Sequence, residues 1–199
     1  VVKSAYAQDA EGEASGEEKL EADSVGGDPK AAALAKAQLE ALNSQVTNIK
    51  KGLDMAETTH FGIIYANYNV YSTVKAVKND VEMAVKGCAE NNPEMADQIN
   101  GRWDKWTKSV GGYMAEAMAN IDAMVMAQDY ASQDSIKRAF SHVDATREAN
   151  SSRFEKIPVT TPEACEFMLS KMDETENQMN MLLIATIKSY PVIMKQMQK

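Results

Sequence analysis

At 199 residues and 21.8 kDa, with 44% hydrophobic residues, the chain is long enough for one domain with a substantial core. Its net charge is −8, but eight acidic and two basic residues within 1–28 leave only −2 for residues 29–199; no window forms a concentrated basic patch, which argues against nucleic-acid binding. No run approaches the roughly 18 apolar residues that a membrane span needs, so no span is expected.

The chain begins Val1-Val2-Lys3-Ser4-Ala5-Tyr6-Ala7-Gln8, and Ala5-Tyr6-Ala7 is the small-x-small pattern that a signal peptidase accepts. The expectation is cleavage between Ala7 and Gln8, with residues 1–7 a signal-peptide remnant and the mature protein periplasmic or secreted. From Gln8 to Asp28 the chain carries Asp9, Glu11, Glu13, Glu17, Glu18, Glu21, Asp23 and Asp28 against Lys19 alone. Such a composition buries too little apolar surface to offset its ordering entropy, so residues 8–28 read as an acidic disordered segment. Residues 29–199 read as one helical bundle domain.

Asp28-Pro29, Asn92-Pro93 and Thr161-Pro162 each place a capping residue before a proline, the pattern of a helix start. From Ala32 the apolar positions step by three and four through Leu39, Leu42, Val46, Ile49, Leu53, His60, Ile63, Asn67, Val70, Val74, Val77 and Val81 to Cys88, eight heptads in one register. An unbroken helix over residues 30–87 would run about 85 Å, so a break is expected, and Thr58-Thr59-His60-Phe61-Gly62 has the low propensity to supply it. A second helix starts at Pro93, buries Ile99, Trp103, Trp106, Val110 and Ile121, and continues through Gly111-Gly112. Ser132 then caps a shorter helix that reaches towards Phe154. The last helix runs from Pro162 on Met168, Leu169, Met172, Met179, Leu183 and Ile187, with Pro191 expected to kink it. The fold class is therefore all-α: an elongated antiparallel bundle of four helices, or five if the first long segment breaks, with coiled-coil-like packing.

Cys88 and Cys165 match neither a CxxC redox motif nor a zinc cluster, and in an exported chain two such cysteines read as a disulfide. Bridged Cα atoms must approach within about 7 Å. A turn near Ser132 brings both cysteines to one end of the bundle, whereas a single rod over 93–153 would separate them. A bridge closing this loop is worth roughly 4 kcal/mol in chain-entropy terms.

Catalytic parts are scarce. The chain has two histidines, His60 and His142, and no GxSxG, HExxH, P-loop, GxGxxG or CxxCH, so the expectation is a protein that is not an enzyme and has no assigned cofactor. Scattered acids such as Glu57, Glu116 and Glu174 are the residual enzymatic candidates. His60 and Asn67 interrupt an aliphatic seam, as a paired polar layer that sets register or as a mid-helix ligand pocket with Met55. Glu57 and His60 have the Glu-x-x-His spacing of a di-metal bundle, but Ala139 stands three residues before His142, so the second half is missing. Met124-Val125-Met126 and Met179-Asn180-Met181 could offer thioethers to Cu(I), yet residues i and i+2 of a helix point about 200° apart. Core filling accounts for most of the 13 methionines. Tyr65, Tyr68 and Tyr71, spaced by three, form an aromatic stripe suited to a partner or a pocket.

These features point to a non-catalytic binding or structural interaction module in the periplasm or at the cell surface, acting through its helical surfaces on a protein partner or on copies of itself. The alternative is a periplasmic copper, haem or small-ligand carrier that uses the bundle core.

Overall fold

The computed structural model describes residues 28–197; the expected cleavage site and almost all of the acidic segment 8–28 lie outside them. The described chain forms five α-helices: α1 (Pro29–Lys50), α2 (Met55–Asn91), α3 (Ala96–Ala127), α4 (Gln133–Ser151) and α5 (Pro162–Met197), with a 3-10 turn at Pro93–Met95. No strand occurs among the described residues.

The long heptad segment does break, but at residues 51–54 rather than at Thr58–Gly62. Gly52 adopts φ 91°, in the left-handed region that glycine enters without a Cβ penalty. Asp54 then opens α2 with a capping box: Glu57 N donates to Asp54 Oδ1 at 2.9 Å, and Asp54 N donates to Glu57 Oε2 at 2.9 Å. The weak stretch after it stays helical because Thr59 returns its hydroxyl to Met55 O at 2.8 Å and His60 and Phe61 are buried.

The other starts fall at or near the expected places. Asp28 Oδ1 accepts from Lys30 N, Ser132 Oγ from Ser135 N, and Thr161 Oγ1 from Ala164 N. Asn92 differs, since its side chain caps nothing after it. Its amide instead donates backwards to Cys88 O and across to Thr160 O, both at 3.0 Å. The turn between α3 and α4, weakly marked by sequence, is closed by buried Gln128, which bonds Val125 O, Ala131 O and Ala131 N.

Helices adjacent in the chain run antiparallel. Gln45 near the end of α1 bonds Ser135 at the start of α4, so that pair is also antiparallel, with the small residues Ala31 and Ala35 buried on one helix and Thr146 and Ala149 on the other. Other packed pairs run parallel: α3 and α5, joined by Arg102 with Asp173 and Glu176 and by Ser109 with Asn180, and α2 and α4, joined by Ser72 and Lys75 with Asp144. The core has two halves. One gathers Phe61, Ile64, Tyr68, Ile121, Met124, Ile136 and Phe140 where α4 and α1 cover α2 and α3; the other gathers Trp106, Val74, Ile99, Met172 and Leu183 around the disulfide.

Cys88 and Cys165 form that disulfide, with Cα atoms 5.7 Å apart. The bridge closes where α2 ends and α5 begins, as the turn near Ser132 requires. A non-helical linker, residues 152–161, makes the final approach, and it packs so tightly on α2 that a Cβ at Gly87 would lie 2.8 Å from Val159 O. Cys88 Sγ lies 3.5 Å from the same oxygen, a van der Waals contact, since a bridged sulfur carries no proton.

Gly87→Ala should therefore destabilise the fold by about 1–3 kcal/mol through overpacking. Gly111→Ala, where a Cβ meets nothing within 4 Å, should be neutral or stabilise by up to about 1 kcal/mol. Denaturant unfolding of the two variants beside wild type checks both; equal midpoints would show that the linker does not press on α2.

Candidate functional site

α4 stops at Ser151 while α2, lying parallel to it, continues to Asn91. Ser152 ends α4 by returning its N–H to Glu148 O and its hydroxyl to Ala149 O, both at 2.9 Å. Beyond that point only the thin linker covers the side of α2 that α4 had faced, and an open groove remains between α2, the end of α4 and the linker. It has a volume of about 520 Å³ against Ser72, Lys75, Asn79, Met83, Asp144, Arg147 and Lys156. A further hollow of about 290 Å³ extends it past Asp80, Met83 and Lys156 to Ala84, Ile157, Pro158 and Val159.

Asp144 is the hub of the polar end. Its Oδ1 accepts from Ser72 Oγ at 2.6 Å, and its Oδ2 accepts from Lys75 Nζ at 2.8 Å and Tyr68 Oη at 3.2 Å. Tyr68 is positioned from below by stacking on Phe140, with ring centroids 3.8 Å apart. Burial pulls the Asp144 carboxyl upward, but the hydrogen bonds from Lys75, Ser72 and Tyr68 and the Lys75 charge outweigh it, so its pKa lies below the ordinary aspartate value. The same hydrogen bond raises Lys75, and burial beside Asp144 pushes the Tyr68 hydroxyl well above the ordinary phenol range.

Further along, Lys156 Nζ pairs with Asp80 at 2.8 Å. Arg147 donates from Nη2 to Asn69 O at 3.0 Å and has no carboxylate partner among the described residues; its Nε is buried without an acceptor. At the apolar end Met83 and Ile157 are 55% and 83% exposed.

Of the residues singled out by sequence, only Tyr68 joins this site. His60 is buried, and its Nδ1 lies 3.0 Å from Tyr130 Oη, which fastens the α3–α4 turn to α2; its Nε2 has no partner among the described residues. Burial lowers the His60 pKa from its ordinary value. Asn67 donates to Ser189 Oγ at 3.0 Å, and that hydroxyl donates on to Thr186 O. Tyr65 is half-buried beside Phe61, and Tyr71 is half-buried beside Tyr68, touching both halves of the core. Cys88 and Cys165 are wholly buried at the far end. Each M-x-M pair splits, with Met124 and Met179 in the core and Met126 and Met181 exposed. Met55 is exposed at the start of α2, Glu57 is held in the capping box, Glu174 pairs with Lys171, and Glu116 faces solvent. Among the described residues no three His, Cys, Asp or Glu side chains converge as a metal site would require.

Ser72, Lys75, Asp144 and Arg147 were not legible as a site. Tyr68, Ser72 and Lys75 do share a face by their spacing of four and three, but only the fold sets Asp144 opposite them. No family model, curated protein or solved structure matches the chain.

Asp144 and Lys75 supply a pH test. A carboxylate whose folded pKa is depressed stabilises the fold above its unfolded value, about 3.9, and that contribution disappears as pH falls through the folded value. A raised lysine contributes below its unfolded value, about 10.4, and loses that contribution as pH rises through the folded one. With side chains 47% and 30% exposed, the pair is worth under about 1 kcal/mol. Asp144→Asn should thus be mildly destabilising at pH 7 and lose less stability than wild type between pH 7 and pH 3, read from denaturation midpoints.

His60 gives a second window. Its lowered pKa means that the folded state resists the charged form, so stability present above about 6.5 falls as pH drops towards and through the folded value. NMR titration should find His60 titrating below 6.5, and His60→Gln should lessen the stability lost between pH 7 and 5; titration above 6.5 would contradict the buried, neutral imidazole.

Proposed function

We propose that the chain is an exported, non-catalytic interaction module that binds a protein partner along the groove between α2, the end of α4 and the linker, in the periplasm or at the cell surface. The observation that carries this reading is the pair of exposed apolar side chains, Met83 and Ile157, bordering an open groove whose other end is held in shape by the Asp144 hub. Apolar side chains left in water beside fixed polar groups are the pattern of a surface that another molecule covers. The disulfide supports export, because such bridges persist in oxidising compartments. The lack of a catalytic motif supports binding rather than turnover.

A carrier of copper, haem or a small ligand in the core is the second reading. It is favoured by one observation, the buried His60 Nε2 with no partner among the described residues. Against it, the other ring nitrogen is engaged by Tyr130 and the neighbouring Met55 is turned to solvent.

A photo-crosslinking residue placed at Ile157 in the native host should yield a discrete protein adduct. The same residue at Glu116, on the exposed surface of α3, should yield none, and Met83→Asp should abolish the Ile157 adduct. No adduct from Ile157 would overturn the reading, and a copper or haem mass on the intact protein under non-denaturing conditions would put the carrier in its place.

A further inference from the structure

Residues 155–160 have no regular secondary structure, and their chemistry specifies more than a generic contact surface. The N–H groups of Glu155, Lys156 and Ile157 donate to no acceptor among the described residues. Phe154, just before them, and Ile157, the last of them, expose large apolar side chains, at 55% and 83%. Main chain of this kind, outside helix and strand, unpaired at these N–H groups and bordered by apolar side chains, is what an incoming extended segment can pair with, its backbone supplying acceptors and its alternate side chains entering pockets.

Charge sets the second requirement. Two of the three cations on the groove wall are already matched, Lys75 by Asp144 and Lys156 by Asp80. Among the described residues Arg147 is unmatched in charge; it is only partly exposed, and its side chain makes a single hydrogen bond, to Asn69 O. A guanidinium offers five donors in a fork that fits a carboxylate. The remaining acid of the wall, Glu148, is exposed to solvent. Complementarity at the polar end therefore favours an acidic group over a basic one.

We propose that this groove binds an extended polypeptide segment from a partner, which places an apolar side chain against Met83, Ile157 and Val159 and an acidic side chain on Arg147. The inference rests on the interaction-module reading and narrows it to one recognition mode. The parallel course of α2 and α4 sets the polar and apolar ends in line, so a segment lying along the groove meets both.

The test uses a displayed library of short random peptides, selected on the full, disulfide-bonded chain. Enriched peptides should share an acidic residue a few positions from Leu, Ile, Phe or Met. Their affinity should fall about tenfold or more in Ile157→Asp and in Arg147→Ala, and stay unchanged in Glu116→Ala. Ile157 is a surface residue on the linker, so its variant folds; thermal melting checks the Arg147 variant. A basic consensus, no consensus, or binding that survives Ile157→Asp would overturn the proposal. Enrichment of peptides that copy Glu17-Glu18-Lys19-Leu20-Glu21 would reassign the groove to the chain's own acidic stretch and overturn binding in trans. A folded partner that crosslinks at Ile157 while no peptide is enriched would defeat the recognition mode and leave the interaction module standing; loss of both would remove the two together.

Discussion

The constraint on which the rest of the structure depends is the return of the chain to the Cys88 end of the bundle. The 32 residues of α3 carry it about 48 Å away, and the 19 residues of α4 bring it only about 28 Å back. The linker covers the remainder: Ser152–Phe154 turn out of the helix, and the seven non-helical residues after them can reach about 23 Å at about 3.3 Å per residue. The disulfide fixes the landing point, and Gly87 and Asn92 accommodate it, one by having no side chain and the other by bonding Thr160 O. Because the return is made partly by helix and partly by a thin strand of chain, α5 must start beside the end of α2. It therefore runs parallel to α3. The groove has the same origin, since it is the space that a longer α4 would have filled.

Why α4 stops short is visible in its last residues. Asn150, Ser151 and Ser152 compete with the helical backbone for its hydrogen bonds, and Pro158 prevents any restart over the linker. The groove is thus encoded by local propensity, although nothing in that short run announces a site. Its floor needed α2 to present Ser72 and Lys75 to a helix that lies about seventy residues away in sequence.

The sequence was most informative where a signal is local or where geometry leaves one answer. Asp28, Ser132 and Thr161 cap helices as their positions before Pro or a helix-forming run imply, and the Cys88–Cys165 pair, expected from cysteine usage, agrees with the turn at Ser132. The first break was misplaced because the apolar seam carries on through Leu53 and masks Gly52 and the Asp54-x-x-Glu57 box, a signal as local as the others but outweighed by periodicity. Asn92 was assigned the wrong direction: an amide can donate backwards as readily as its oxygen can accept forwards, and the arriving linker decided which. His60 and Asn67 were recognisable as exceptions on the seam, but their partners Tyr130 and Ser189 lie on elements whose placement no heptad pattern reveals.

The two ends of the groove differ in a way that bears on binding. At the polar end, Tyr68 is clamped between Phe140 and Asp144, and Ser72 and Lys75 complete the carboxylate's hydrogen bonds, so those side chains have already lost their rotamer freedom in the free protein. At the apolar end, Met83 and Ile157 are free to adapt, and methionine packs against irregular shapes with little penalty. Ordering cost is a main charge against association, and here it falls on two side chains rather than on the whole wall. Arg147 sits between these regimes, tethered through Nη2 to Asn69 O yet unmatched in charge. A groove rigid where it must discriminate and yielding where it must fit is better suited to a protein segment, whose shape varies along its length, than to a small ligand that would need enclosure on every side.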